Sequence, residues 1–205
     1  IDGGYVMLSD TGANVDCNVE NLHDFAIMTD IYAKRVMGIE NPRVALANIG
    51  TEEAKGNDLV KKSFEDLSEE KSINFIGNME TREILNGVCD VVVCDGFIGN
   101  IILKTLEGTV ISLLKTLKQA MMSTTKSKIG ALLMKSELVK VKDLLDYTAV
   151  GGAPFLGVEG GVIKAHGSSN ARAIKNAIRQ GIALHEGNVV NEIKTYIENM
   201  GDKEA

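Results

Sequence analysis

Four segments of this chain combine glycines and small residues with one or two charged or amide side chains, each directly after an apolar run. They are Asp10-Thr11-Gly12-Ala13-Asn14, Gly50-Thr51-Glu52-Glu53-Ala54-Lys55-Gly56, Asp95-Gly96-Phe97-Ile98-Gly99-Asn100 and His166-Gly167-Ser168-Ser169-Asn170. Backbone N–H groups at helix starts and bare glycines suit a small anion, and a lysine nearby neutralises it. This content implies an enzyme.

Within these segments a few side chains could carry the chemistry. Lys55 offers a mobile point charge toward a phosphate, or is a solvated loop lysine. Asn100 either caps the helix that follows or presents its amide to an acyl or phosphate oxygen, and Asp95 either binds backbone or orients a neighbouring donor. Gly96 and Gly99 allow close backbone approach or a positive φ. The imidazole of His166 suits a donor or general acid–base role, with Ser168 or Ser169 as helix cap. The remaining anion contacts are expected at Asp10, Gly12, Asn14, Gly50, Thr51, Gly96, Gly99, Gly167, Ser168 and Ser169.

Other chemistries find little support. The Gly50 segment lacks the Gly-Lys-Ser/Thr ending of a Walker A loop, and no Gly-x-Gly-x-x-Gly follows a strand. No Gly-x-Ser-x-Gly elbow accompanies the serines. Cys17, Cys89 and Cys94 have no metal-ligand spacing, and Cys89 and Cys94 read as buried or strand-end thiols. Neither a metal nor a cofactor is expected.

The elements that must position these residues follow from periodicity. Strands are expected at Tyr5 to Leu8, Val44 to Ile49, Ile73 to Ile76 and Val88 to Cys94, and a fifth at Gly161 to Ala165 before His166. Between them lie a helix over Glu20 to Met37, an amphipathic stripe of Leu59, Val60, Phe64 and Leu67, and a short helix near Arg82 to Leu85. Helices from Asn170 and over Val189 to Met200 close the chain. Repeated strand-to-helix steps imply an α/β fold in three layers with a mostly parallel sheet, whose loops gather along one edge. Gly151 to Gly157 reads as a glycine-rich bend, which either lines an entry for an apolar chain or only returns the chain to the sheet.

Residues 100–147 break the rhythm. They read as a helical hairpin, Asn100 to Met122 and Lys128 to Asp146, with more apolar surface than one domain face needs. Three uses compete: packing on the sheet, pairing with a second copy, or contact with a membrane surface. For the last, Ala131-Leu132-Leu133-Met134 forms an apolar tip collared by Lys126, Lys128 and Lys135.

The bulk properties bound the answer. At 205 residues, 44% hydrophobic and 24% charged, the chain suits one core, read as a single α/β domain over residues 1–205. A net charge of −6 argues against a general nucleic-acid surface. No apolar run approaches the ~20 residues of a membrane span, and no secretory signal opens the sequence. A reducing cytoplasm fits the three cysteines.

Five ordered motifs resemble one family. They are Asp10 to Cys17, Asn48 to Glu53, Val93 to Asn100, Gly151 to Pro154 and Ala165 to Ser169, and they resemble the bacterial phosphate acyltransferases of phospholipid synthesis. The resemblance implies transfer of a long-chain fatty acyl group from the thioester of acyl carrier protein to inorganic phosphate. It also implies a fold like the isocitrate/isopropylmalate dehydrogenases and a homodimer built partly through the hairpin. Action in the cytoplasm, peripherally at the membrane surface, is implied too. Lys55, Asn100, Asp95 and His166 are then expected to be catalytic. Acyl carrier protein is acidic, so a basic docking patch is expected among Lys115, Lys118, Lys126, Lys128, Lys135, Lys140 and Lys142. Family members carry a further amino-terminal region, so the chain reads as the carboxy-terminal part of such an enzyme, with an exposed sheet edge. The rivals are a coenzyme A-dependent phosphotransacylase and a non-catalytic piece that binds membrane and partner.

Overall fold

The computed structural model describes residues 5–144 and 150–201. Four strands form a parallel sheet: β1 (Met7–Ser9), β2 (Arg43–Asn48), β3 (Asn74–Glu80) and β4 (Val91–Val93), in the order β1-β4-β2-β3. The run Val91-Val92-Val93 is wholly buried, as a strand covered on both faces is. Helices α1 (Val19–Arg35) and α2 (Asp58–Glu69) follow β1 and β2. Both feed one core, in which Leu22, Phe25, Ile31 and Leu67 join Val44, Leu46, Val91 and Val93.

The step from β3 to β4 runs back across β2, so a right-handed crossover must use the opposite face. It does so through a short 3₁₀ turn (Thr81–Glu83) in place of the expected short helix. Ile84 and Cys89 from that connection pack with Ala45, Ala47 and Val92 in a second, smaller core. At the amino ends of β2 and β4, Arg43 donates from its backbone N–H and its guanidinium to both carboxylate oxygens of Asp90.

Helix α3 (Gly96–Met121) leaves β4 and covers the second core with Ile102 and Leu106. Its later turns expose Ile111, Leu113 and Leu117. By length and composition alone, α3 is apolar enough to cross a membrane. The absence of a long apolar run concealed this, because charged residues such as Lys104 and Glu107 interrupt the sequence while the average stays apolar. The second arm is not one long helix: α4 (Thr125–Leu133) stops at Met134 and α5 (Lys135–Leu144) continues. Asp146 and Tyr147 lie outside the described residues.

The largest correction concerns the fifth strand. It is β6 (Val162–Ala165), which pairs antiparallel with β5 (Gly152–Phe155) in a separate two-stranded sheet. The expected bend is therefore a strand. Pro154 and the flanking glycines depress strand propensity, but a ribbon of two edge strands tolerates a proline. Helices α6 (Ala171–Glu186) and α7 (Val189–Gly201) return Leu184, Val189 and Ile193 to the first core. Arg35 of α1 forks onto Glu192 of α7, and His23 of α1 bonds Asp66 of α2 and Tyr196 of α7. His23 thus links three helices.

Candidate active site

Strand order reverses direction around β4, and the carboxyl ends of β1, β4 and β2 stand side by side. Neighbouring strands lie about 4.8 Å apart, so the loops after Ser9, Val93 and Asn48 leave the sheet within roughly 10 Å of one another at strand level. A crevice outside such a switch point is where ligands bind in open α/β sheets.

The first and third loops are in direct contact. Asp95, rather than Asn100, is the cap of α3: its carboxylate accepts from the N–H of Ile98. Asn100 therefore lies inside the first turns of the helix, with an exposed side chain set against Gly12. Gly96 and Gly99 serve close approach, not positive φ. A Cβ on Gly96 would sit 2.5 Å from the Asn14 carbonyl oxygen, and one on Gly99 would fall on the carbonyl of Asp10. The Gly96 N–H also donates to Asn14 O at 2.8 Å.

Asp10 holds this arrangement from below. It is buried, and its carboxylate accepts from the N–H groups of Gly12, Ala13 and Asn14 at 2.5 to 3.1 Å. Those donors were expected to face an external anion. Here the protein's own carboxylate fills the nest they make, because a carboxylate two to four residues upstream reaches them first. Gly12 and Asn14 are thus loop-shaping residues in this structure, and Asp10 contacts backbone.

The Gly50 loop stands at the end of β2. Gly50 is buried, while Thr51 and Lys55 are exposed. The Lys55 N–H donates to Glu52 O at 3.1 Å, closing a turn. Two residues that sequence reasoning missed bind this loop. Asn48 Nδ2 donates to Lys55 O and Asn78 Nδ2 donates to Glu52 O, each at 3.1 Å. The signal was an amide ending an apolar strand, and a glycine (Gly77) inside a strand pattern, which marks a bulge.

The fourth loop follows the small ribbon and not a strand of the parallel sheet. His166 comes directly after β6. Its Nδ1 accepts from the Ser168 N–H at 3.2 Å and meets Ser168 Oγ at 2.7 Å, which leaves Nε2 as the N–H of the neutral ring. Asn170, rather than a serine, caps α6. Gly167 and Ser168 are exposed, and the Ser169 hydroxyl is buried without a hydrogen-bond partner among the described residues.

The cysteines are unsuited to nucleophilic attack. Burial pushes the Cys94 thiol upward, with Asp95 and Asp10 adding to the effect, and burial raises Cys89 to about 11. Burial also raises Cys17, whose thiol donates to Asn14 O. All three are thiols at neutral pH.

Residues 1–192 match the fatty acid synthesis protein family. The chain is also similar to proteins named phosphate acyltransferase. That of Clostridioides difficile (strain 630) is 53% identical over 98% of this chain and 58% of the relative. That of Lysinibacillus sphaericus (strain C3-41) is 51% identical over 98% of the chain and 60% of the relative. That of Staphylococcus aureus (strain JH9) is 50% identical over 96% of the chain and 60% of the relative. The chain spans about three-fifths of the length of the curated relatives it matches.

Proposed function

The chain belongs to the fatty acid synthesis protein family, and from that premise we propose that it carries the reacting loops of a phosphate acyltransferase. The reaction moves a long-chain fatty acyl group from acyl carrier protein to inorganic phosphate, giving acyl phosphate for phospholipid synthesis. The carrying observation is 53% identity to a phosphate acyltransferase across 98% of the chain. A likeness to the isocitrate/isopropylmalate dehydrogenase fold belongs to the same reading.

Physically, a phosphate oxygen attacks the thioester carbonyl, a tetrahedral oxyanion forms, and the thiolate leaves as the carbonyl re-forms. No covalent enzyme intermediate is needed. The protein must hold two negative centres together and aim donors at the developing oxyanion. Lys55 supplies the positive charge, and Asn100, exposed beside Gly12, supplies an uncharged donor. Asp95 fixes the start of α3 through Ile98 N–H and so sets where Asn100 stands. His166 offers its Nε2–H as a hydrogen-bond donor to phosphate or to the leaving sulfur, with Ser168 setting its tautomer and Gly167 and Ser169 lining the same loop.

The partners follow from the same reading. Acyl carrier protein docks on the basic side chains along α3, α4 and α5. The exposed Leu132 and Leu133 at the tip of α4 touch the membrane surface of a cytoplasmic, peripherally bound enzyme, and the apolar arms pair two copies. The deciding experiment measures acyl-phosphate formation by the intact enzyme and by this chain, with acyl carrier protein and coenzyme A thioesters compared as donors. Phosphate-dependent turnover with the carrier-protein thioester is expected of the intact enzyme. Preference for coenzyme A would replace the donor, and no acyl phosphate from the intact enzyme would overturn the proposal.

A further inference from the structure

The loop bearing Lys55 is exposed over most of its length, yet its backbone is fastened to the sheet at two points by buried amides. Asn48 and Asn78 are 8% and 9% exposed. Asn48 donates to the carbonyl of Lys55 and Asn78 to the carbonyl of Glu52, the same carbonyl that closes the loop's internal turn. Asn48 also steadies the exit from β2, its Oδ1 accepting from the Ile49 N–H at 2.8 Å. The chain returns directly over this amide: a Cβ on Gly56, whose φ is +95°, would sit 2.7 Å from Asn48 Oδ1.

Asn78 reaches the loop only because β3 is irregular. Val44 pairs with Phe75, but Leu46 pairs with Asn78, so Ile76 and Gly77 together oppose Ala45. Gly77 has φ +91°. In a regular strand Phe75 and Asn78, three residues apart, would point to opposite faces. The extra residue returns Asn78 to the face shared by Val44, Leu46 and Asn48, beneath the Gly50 loop. Asn78 Oδ1 is buried and has no hydrogen-bond partner among the described residues, so the amide contributes its donor.

We propose that Asn48 and Asn78 are positioning residues: two amides from adjacent strands lock the Gly50–Gly56 loop and thereby fix where the Lys55 ammonium stands. The consequence for turnover rests on the reading of Lys55 as the charge that meets phosphate. A loop held only by its own turn would let the long lysine side chain wander. Tying Glu52 O and Lys55 O to the sheet fixes both ends of the turn that carries it.

Two measurements test this. Asn78 lies on an edge strand, so Asn78→Ala is the primary variant and Asn48→Ala the second, with a thermal melt confirming that each folds. In this chain, hydrogen exchange of the amides in residues 50–56 should accelerate roughly five- to tenfold in each variant, as loss of about one hydrogen bond predicts, while β2 and β4 are unchanged. In the intact enzyme Asn78→Ala should lower kcat with KM for the acyl donor unchanged, and should have no further effect in a Lys55→Ala background. Unchanged loop exchange in folded variants overturns the locking. An equal loss of kcat in the Lys55→Ala background overturns the action through Lys55. If Lys55→Ala alone keeps its full rate, the catalytic reading of Lys55 is what fails, and the exchange result still decides whether the amides lock the loop.

Discussion

Gly12 lies against Asn100, so close that a Cβ added to the glycine would stand 3.5 Å from the Cβ of the asparagine. The glycine has φ +117°, a conformation that side chains of ordinary hand rarely adopt. One residue type thus satisfies two demands, a left-handed turn above Asp10 and a surface left open beside the amide of α3.

Glycine substitutions here should rank by what they strike. Gly99→Ala places its methyl on the Asp10 carbonyl and should cost about 3 kcal/mol or more, or prevent folding. Gly12→Ala meets only ordinary contact and pays mainly for its backbone, about 1 kcal/mol. Urea denaturation of the two variants gives the order directly. A reversed order would mean that the first turn of α3 does not rest on the Asp10 loop.

Lys55→Ala and Asn100→Ala should separate activity from stability. Both side chains are exposed, so the melting temperature should hardly move. Loss of one donor to a developing oxyanion typically costs ~2.7–4 kcal/mol of barrier, a rate loss of roughly 100- to 1000-fold in the intact enzyme. Near-normal rates in both variants would place the reacting centre elsewhere.

Asp90 gives a pH dependence of stability. Its hydrogen bonds from the Arg43 guanidinium hold its carboxyl below the usual range, with burial opposing and the Arg43 N–H adding to the effect. A carboxyl depressed in the folded state stabilises fully above its unfolded value, near ~3.9, and that contribution disappears as pH falls through the folded value. Asp90→Asn should cost about 1 kcal/mol at pH 7, since the partly exposed guanidinium is screened by solvent, and less at pH 3, below the unfolded value. Denaturation at the two pH values tests the difference, and an equal loss at both would refute the assignment.

Leu132 and Leu133 are 70% and 80% exposed at the end of α4. Replacing both with aspartate should leave the fold intact and abolish flotation with anionic phospholipid vesicles. Binding that survives the double substitution would move the membrane contact elsewhere.

Much of this was legible in the chain, for identifiable reasons. The first four strands and the helices between them follow from long periodic patterns ended by glycine or proline. That the loops after β1, β2 and β4 share one sheet edge follows from strand-to-helix steps in a parallel sheet, whereas the adjacency of β1 and β4 does not. What escaped was local competition for the same groups. Asp10 takes the backbone donors beside it, and Asp95 claims the cap five residues before Asn100. The partner of β6 also escaped, because glycine and Pro154 disguised β5 as a bend. Gly77 hinted at a bulge, but the expected strand stopped at Ile76, so Asn78 fell outside the periodic reading.

That bulge bears as well on how the protein behaves when crowded. An exposed strand recruits another chain only if it presents a long, even row of amides. Among the described strands, β1 has three residues, and β3 is kinked at Gly77 in mid-strand. Neither flank of the parallel sheet therefore makes a good template for fibre growth. Self-association at high concentration should come through the greasy turns of α3 and α4 and should yield to mild detergent.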